Sequence, residues 1–463
     1  MYYCAYNTQT NKLYITTIND DIYFLSFLKN DLCVILITHN MDTVEEFSKM
    51  NLKDPQTIID SIYNTLNDCQ KNALNEIDNN QNIFITGSPG TGKSYLINSI
   101  CRLLTYRNKE YGLTATTGCA AYNIQGTTIH SLFGMNIYSD NLEEHYQFLL
   151  RKRTVVFKKI KNLDVLIIEE ISMLNDVLYN FLDSLLKLIK NTDKPFGGIQ
   201  LIFVGDFYQL PPINGKYCFT SEKWKEANLK MITLKTIIRQ KDDELFQYIL
   251  QRIQKGNVSS KIISYLEELK KTEFKNNIQP TKLYPINIDV DKINAKELSK
   301  LNDGRIFIEY NAKSNCDIKN ELYNIRMCKD AQIMITRNVD IPNGIVNGTR
   351  GIILGVFVEY ITILTNDNKT VNITYYQEFL DNIKKKSITF MPIKLAYALS
   401  IHKSQGMTID CIEIDLGNNI FEYGQAYTAI SRGRCLKNIK IINISKKSFK
   451  TNKIVDIFYE NNK

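Results

Sequence analysis

At 463 residues, with 44% hydrophobic and 23% charged residues, the chain exceeds one compact core and reads as two to four globular domains. Its net charge of +8, from 57 Lys and Arg against 49 Asp and Glu, suits a polyanionic partner without requiring one. No apolar run approaches the ~20 residues of a membrane span, and no targeting pattern is legible at the amino terminus. The ten cysteines are scattered without a CxxC, and the four histidines form no HExxH. A disulfide framework or structural metal site is therefore not expected, and a reducing, intracellular location is (nucleus or cytoplasm).

Residues 1–60 read as a small α+β unit. "YYCAY" and "KLYITTI" flank a polar turn as a hairpin, "DLCVILIT" is a third strand, and "MDTVEEFSKM" is a short helix. No catalytic pattern lies there. From residue 61 the texture becomes strand–loop–helix. "NIFIT" (82–86) ends in "GSPGTGKS" and enters the helix "YLINSICRLL", while "VLII" (165–168) and "LIFVG" (201–205) are two further apolar strands. Strands alternating with helices predict a parallel α/β sheet, which binds ligands beyond the carboxyl ends of its strands. The three loops are thus expected to converge on one site. Residues 328–392 are β-branched and aromatic around an "NDN" turn and read as an antiparallel β insertion. "KLAYALSIHKSQG" and "GQAYTAISRGR" then return to α/β texture.

Gly87-Ser88-Pro89-Gly90-Thr91-Gly92-Lys93-Ser94 fits GxxxxGK[ST] between a strand and a helix. Its glycines let backbone N–H groups face phosphates, the helix start adds positive potential, Lys93 reaches the outer phosphates and Ser94 ligates magnesium. The loop alone does not separate an ATPase from a GTPase or a nucleotide kinase. The next strand ends in Glu169 and Glu170, and the following Ile171-Ser172-Met173 sets the register. Glu169 takes the magnesium side and Glu170 the water-activating side. A carboxylate acting on magnesium through water tolerates an extra methylene better than a direct ligand does. In "GDFYQLPP" (205–212), Gln209 is the candidate reporter of the γ-phosphate.

"LNDCQ", "GSPGTGKS", "ATTGCAAYNIQGTTIHSLFG", "LIIEEISM", "GDFYQLPP", "IIRQ", "VNGTRG", "AYALSIHKSQGMT" and "QAYTAISRGR" occur in this order. Together they resemble the petite-integration-frequency (PIF) family of superfamily 1 DNA helicases, over residues 61–446. The resemblance implies two RecA-like parallel-sheet lobes (a P-loop NTPase) with ATP and Mg2+ in the cleft. The first lobe, at 61–215, carries a small wedge insertion. The second comprises 216–327 and 393–463, with an SH3-like β unit at 328–392 inserted in it. The implied activity is ATP-dependent 5′-to-3′ translocation on single-stranded DNA and unwinding of duplex, in replication, repair or recombination.

Carried over to this chain, the resemblance implies that Gln70 reads the adenine. It also implies that Arg239 and Arg432 are donated from the second lobe to the transition state, and that Gln405 faces the nucleotide. Thr128, His130 and Phe133 on one lobe, with Ser400, His402 and Lys403 on the other, would contact DNA. Taken singly these have bland readings: a turn histidine is more often structural, and Phe133 divides evenly between core and base platform. The basic run Arg151–Lys161 is either a strand contact in the wedge or a solvated face. Single-stranded DNA and forked or tailed duplex are the expected partners, with no membrane and a monomeric chain. Residues 1–60 are either a protein-docking module or an extension of the first lobe. Two departures from the family pattern stand out: Ile238 where Phe is common, and Glu169 where Asp is usual. Glu169 alone favours the rival reading, a nucleic-acid-binding ATPase switch or clamp that does not separate strands.

Overall fold

The computed structural model describes residues 2–7, 12–17, 33–38, 55–135, 141–239, 243–274, 280–301, 304–315, 323–337, 339–340, 343, 345, 349–365, 369–381, 386–409 and 411–462. The chain divides into two compact units, 1–75 with 95–110, and 76–94 with 111–463.

The first unit contains β1 (Tyr2–Asn7), β2 (Lys12–Thr17) and β3 (Cys33–Thr38), an antiparallel sheet in the order β2-β1-β3. The β1–β2 pair is the expected hairpin. The helix expected at 41–50 lies outside the described residues. Helix Asp68–Asp78 begins in a capping box: Gln70 N donates to Asn67 Oδ1 (3.0 Å), and Asn67 N donates to Gln70 Oε1 (3.1 Å). Gln70 is buried. Its side-chain oxygen thus has a local structural task, whatever else the residue does.

The second unit is built on two parallel sheets. Strands β4 (Ile83–Thr86), β5 (Tyr111–Ala115), β6 (Thr127–Thr128), β7 (Val165–Glu169), β8 (Gln200–Val204) and β9 (Lys230–Thr233) form the first, in the order β6-β5-β7-β8-β4-β9. All of its pairings are parallel. Strands β4, β7 and β8 are buried along their whole length, as strands covered on both faces must be, which explains their unbroken apolar runs. The second sheet is also parallel, in the order Ala398–Ser400, Thr281–Tyr284, Ile412–Leu416, Ile439–Ile444. One hydrophobic core runs through both, from Phe84, Ile168 and Phe203 to Leu283, Ile414 and Ile441. A separate core of Ile333, Ile353, Ile361, Ile363 and Ile373 lies in a five-stranded antiparallel sheet.

These strands correct three expected boundaries. Strand β9 pairs with β4, so the first lobe runs past residue 215 to at least Thr233. Antiparallel structure starts before 328, with Phe307–Tyr310 paired to Ile325–Cys328, and it ends beyond 392, with Ile393–Leu395 paired to Gln332–Ile335. The last helix, Lys453–Asn461, leaves the second sheet and packs on the first. Phe458 stacks on Phe219 (4.3 Å between centroids, 25°) and lies edge-on to Phe207 (5.3 Å). Two aromatic residues at adjacent positions anchor that helix, a pattern that apolar periodicity alone does not assign to either sheet.

Candidate active site and nucleic-acid groove

The loop after β4 turns sharply into helix Lys93–Tyr106. Gly87 has φ +151°, and a Cβ there would stand 2.6 Å from the Leu234 carbonyl oxygen, so only glycine fits between β4 and β9. Lys93 Nζ donates to the carbonyl oxygens of Gly87 (2.7 Å) and Ser88 (3.2 Å), holding the loop closed over its own base. Burial lowers the Lys93 pKa, opposed by Asp206, Glu170 and Glu169 around it.

The carboxylate pair ends β7. Ser94 Oγ donates to Glu169 Oε1 (3.0 Å), so the longer side chain reaches the hydroxyl at the helix start. Burial first, then the charge of Glu170, pushes the Glu169 carboxyl up to about 8, against the Ser94 bond and Lys93. Its other oxygen is buried without a hydrogen-bond partner. Such an oxygen is costly unless a cation or donor arrives, and magnesium meets that need. Three acids (Glu169, Glu170 and Asp206), each under a tenth exposed, surround one lysine, which also favours a cation. Among the described residues no group of three or more His, Cys, Asp or Glu could hold a metal ion.

Glu170 sits in the left-handed region (φ 55°, ψ 43°), a conformation costing on the order of 1–3 kcal/mol that packing must sustain. Three bonds hold it: Thr116 Oγ1 and Met173 N each donate to its carbonyl oxygen (both 3.1 Å), and Gln405 Nε2 donates to its Oε2 (3.1 Å). Gln405 also reaches Ser172 Oγ (3.3 Å). The structure thus sets Gln405 on the candidate base itself.

Arg432 and Gln209 meet directly. Arg432 Nη2 donates to Gln209 Oε1 (3.1 Å), while Nε bonds the Thr428 carbonyl (2.9 Å) and Nη1 that of Met407 (3.2 Å). Arg239 approaches from elsewhere than expected. It follows β9, and its backbone N–H donates to Gly90 O (3.1 Å), as does that of Ile238 (2.8 Å). It is therefore tethered to the phosphate loop of the first lobe, not donated from the second. Its guanidinium reaches the Ser431 carbonyl (3.3 Å). Burial, then Arg432 and Arg434, bring its pKa down to about 10. Ile238 is 48% exposed, so the missing ring expected to weaken packing would itself have been largely in solvent.

Sequence reasoning passed over Asp206, inside the very motif that supplied Gln209. It is 1% exposed and accepts from Tyr208 N (3.0 Å), Tyr427 OH (3.1 Å) and Gln254 Nε2 (3.2 Å). An acid two residues after a fully buried strand was the available signal; its side-chain partners Gln254 and Tyr427, more than 40 residues away and on separate helices, were not.

Beside this cluster runs a groove of about 770 Å³. Thr117, Gly118 and Met173 line it from the first sheet, Ser400, His402, Lys403 and Gln405 from the second, and Arg337, Phe390 and Lys394 from the antiparallel region. His402 stacks on Phe421 (6.1 Å, 18°). Burial and the neighbouring Lys403 depress the Lys394 ammonium to about 7. Gln405 thus touches both the groove and Glu170. The other expected DNA contacts do not line the groove. Thr128 Oγ1 caps helix Ile129–Leu132 through Ser131 N (3.2 Å), and His130 is exposed. Phe133 corrects the even division: it has no exposed surface, belongs to the main core, and offers no face to a base. The charged residues of the Arg151–Lys161 run are exposed on helices Leu142–Lys152 and Thr154–Asn162, which leaves both readings of that run open.

A GxxxxGK[ST] loop, a carboxylate pair, Gln209 bonded to Arg432, and two parallel sheets define a P-loop NTPase of the RecA-like, two-lobed kind. Comparison with known proteins narrows the class. The family model described as PIF1-like helicase matches residues 65–263. The ATP-dependent DNA helicase PIF1 of Xenopus laevis is 34% identical over 84% of this chain and 63% of its own length, so the chain spans about three fifths of that relative. The crystal structure of Pif1 helicase from Candida albicans matches with TM-score 0.77 and 31% identity, over 86% of this chain and 99% of that one. Pif1 helicase from Bacteroides in complex with ADP-AlF3 and single-stranded DNA matches at TM-score 0.72 and 28% identity, over 86% and 97%. The chain belongs to the PIF1-like helicase family. No described helix is long and apolar enough to cross a membrane.

Proposed function

We propose that this chain translocates 5′ to 3′ on single-stranded DNA at the expense of ATP and so separates duplex strands. The bond from Gln405 to Glu170 carries this reading, because it joins the candidate DNA groove to the candidate catalytic base in one side chain. The Bacteroides relative, in complex with ADP-AlF3 and single-stranded DNA, has the same fold and supports both ligands.

In this reading the phosphate loop and Lys93 bind the triphosphate. Glu170 takes the proton of the attacking water, a role worth roughly 10²–10⁴ in rate. Ser94 and Glu169 would hold Mg2+, which when bound neutralises developing charge on the phosphate oxygens. Gln209 senses the outermost phosphate and holds Arg432, so the arginine is already paired with the group that reports the substrate. Arg239, whose backbone is tied to the phosphate loop, and Arg432, which follows helix Gln425–Ile430, approach the site from different elements. Such arginines contribute about 10³–10⁵ only when the cleft is closed, which couples chemistry to lobe motion. Ser400, His402 and Lys403 follow the strand through the groove, with Thr128 and His130 as further contacts outside it.

The test is steady-state ATP hydrolysis with and without single-stranded DNA, in Mg2+ and after its removal by chelation. A rate that rises strongly with DNA and vanishes on chelation is expected. A rate indifferent to DNA would refute the coupling.

A further inference from the structure

One buried carboxylate gathers parts of the protein that the nucleotide site alone does not explain. Asp206 follows β8 and begins the turn that presents Gln209. Its Oδ2 accepts from Tyr427 OH (3.1 Å) and from Gln254 (3.2 Å), and its Oδ1 lies 3.5 Å from Tyr459 OH. Tyr427 belongs to helix Gln425–Ile430. The next residue, Thr428, supplies the carbonyl that grips Arg432 Nε.

That helix starts hard against the same turn. Gly424 has φ +69°, and a Cβ on it would fall 2.3 Å from Tyr208 O and 2.5 Å from Gln209 O. The last helix completes the arrangement. Tyr459 OH accepts from Phe207 N (3.1 Å), shares a hydrogen bond with Thr86 Oγ1 (2.8 Å) at the end of β4, and its ring stacks on Tyr208 (4.9 Å, 12°).

We infer that Asp206, Tyr427 and Tyr459 are positioning residues of the ATPase, fixing the arginine-bearing helix and the γ-phosphate turn in one geometry. The last helix is then part of the catalytic apparatus and not a trailing extension. Tyr427 acts through the Thr428 carbonyl on Arg432, and Tyr459 acts through Phe207 and Thr86 on the turn and the phosphate loop. A guanidinium displaced by a fraction of an ångström loses its transition-state contact while ground-state ATP binding, carried by the loop, is kept.

The inference rests on the proposed roles of Gln209 and Arg432. Its test separates the two. Tyr427→Phe and Tyr459→Phe each remove one hydroxyl and no packing volume. In the full chain with saturating single-stranded DNA, kcat should fall about tenfold for Tyr427→Phe and about threefold for Tyr459→Phe. KM for ATP and the melting temperature should stay near those of the parent. In an Arg432→Ala background, adding Tyr427→Phe should cost nothing further, because groups acting as a unit are not additive. Parental kcat in either tyrosine variant, or an undiminished loss in the Arg432→Ala background, would overturn the inference. An Arg432→Ala protein with parental kcat would instead overturn the arginine's own assignment.

Discussion

The two parallel sheets share an architecture and differ in how they treat charge. Beyond the carboxyl ends of the first, the buried acids Glu169, Glu170 and Asp206 gather around a half-buried Lys93. Beyond the ends of the second, Lys403 is exposed and His402 half-exposed along an open groove. Both obey the rule that ligands bind past the strand ends. A buried cluster of acids suits a compact, highly charged ligand held with a metal, whereas a wetted, cationic groove suits an extended polyanion that must slide. In the proposed reading the same scaffold supports chemistry at one sheet and movement at the other, and Gln405 spans them.

The sharpest way to break this comparison is at the buried end. Lys93→Ala should lower ATP turnover by about 10³ or more, since Lys93 is the one basic side chain within the GSPGTGKS run. DNA affinity in the groove should be retained. Turnover near the parental level, measured by phosphate release, would sink the assignment of the first sheet.

Phe133 tests where the nucleic-acid contact ends and the core begins. Phe133→Ala should destabilise the protein by about 3–5 kcal/mol in denaturant unfolding, as an emptied core site does. Phe133→Leu should leave DNA affinity unchanged. A selective loss of DNA binding in the leucine variant would restore the base-platform reading.

Here the limits of sequence reasoning become concrete. The phosphate loop, the glutamate pair and the "HKSQG" segment were legible because each is a short run whose chemistry depends on its own neighbours. Phe133 was not, since a cap position beside a solvent-facing histidine looks alike whether its ring points in or out. The backbone tie of Arg239 to Gly90 was not legible, because it depends on strand β9 joining the first sheet through pairing with β4, about 150 residues earlier. Asp206 and the last helix were missed for the same reason: their partners are set by folding and not by spacing.

A smaller effect probes the link between the sheets. Gln405→Ala should leave KM for ATP near the parental value and reduce DNA stimulation of kcat about tenfold, because Glu170 loses its tie to the groove. Full stimulation would show that the two sheets communicate by another route.

The smallest expected effect is the pH response of the groove. Lys394 has its pKa lowered from 10.5 to about 7 by burial and by Lys403, with Asp291 opposing. The unfolded chain therefore binds more protons between those values, and this group's contribution to stability rises from pH 7 to 10.5. For DNA the sign reverses: protonation below pH 7 adds a charge to the groove. Affinity for single-stranded DNA should be about threefold higher at pH 6 than at pH 8 at fixed salt. His402 and Glu422 also line this groove, and burial holds the His402 pKa below its usual value. Lys394→Met separates the contributions: it should flatten the response, and a response unchanged in that variant would assign it elsewhere.

The central claim is that hydrolysis at the first sheet drives directional movement along the second. Strand separation on paired forks tests it most directly, one carrying a single 5′ tail and the other a single 3′ tail, with ATP and Mg2+. Unwinding of the 5′-tailed fork alone is the predicted result. ATP hydrolysis without separation of either fork, or separation of the 3′-tailed fork alone, would contradict the account.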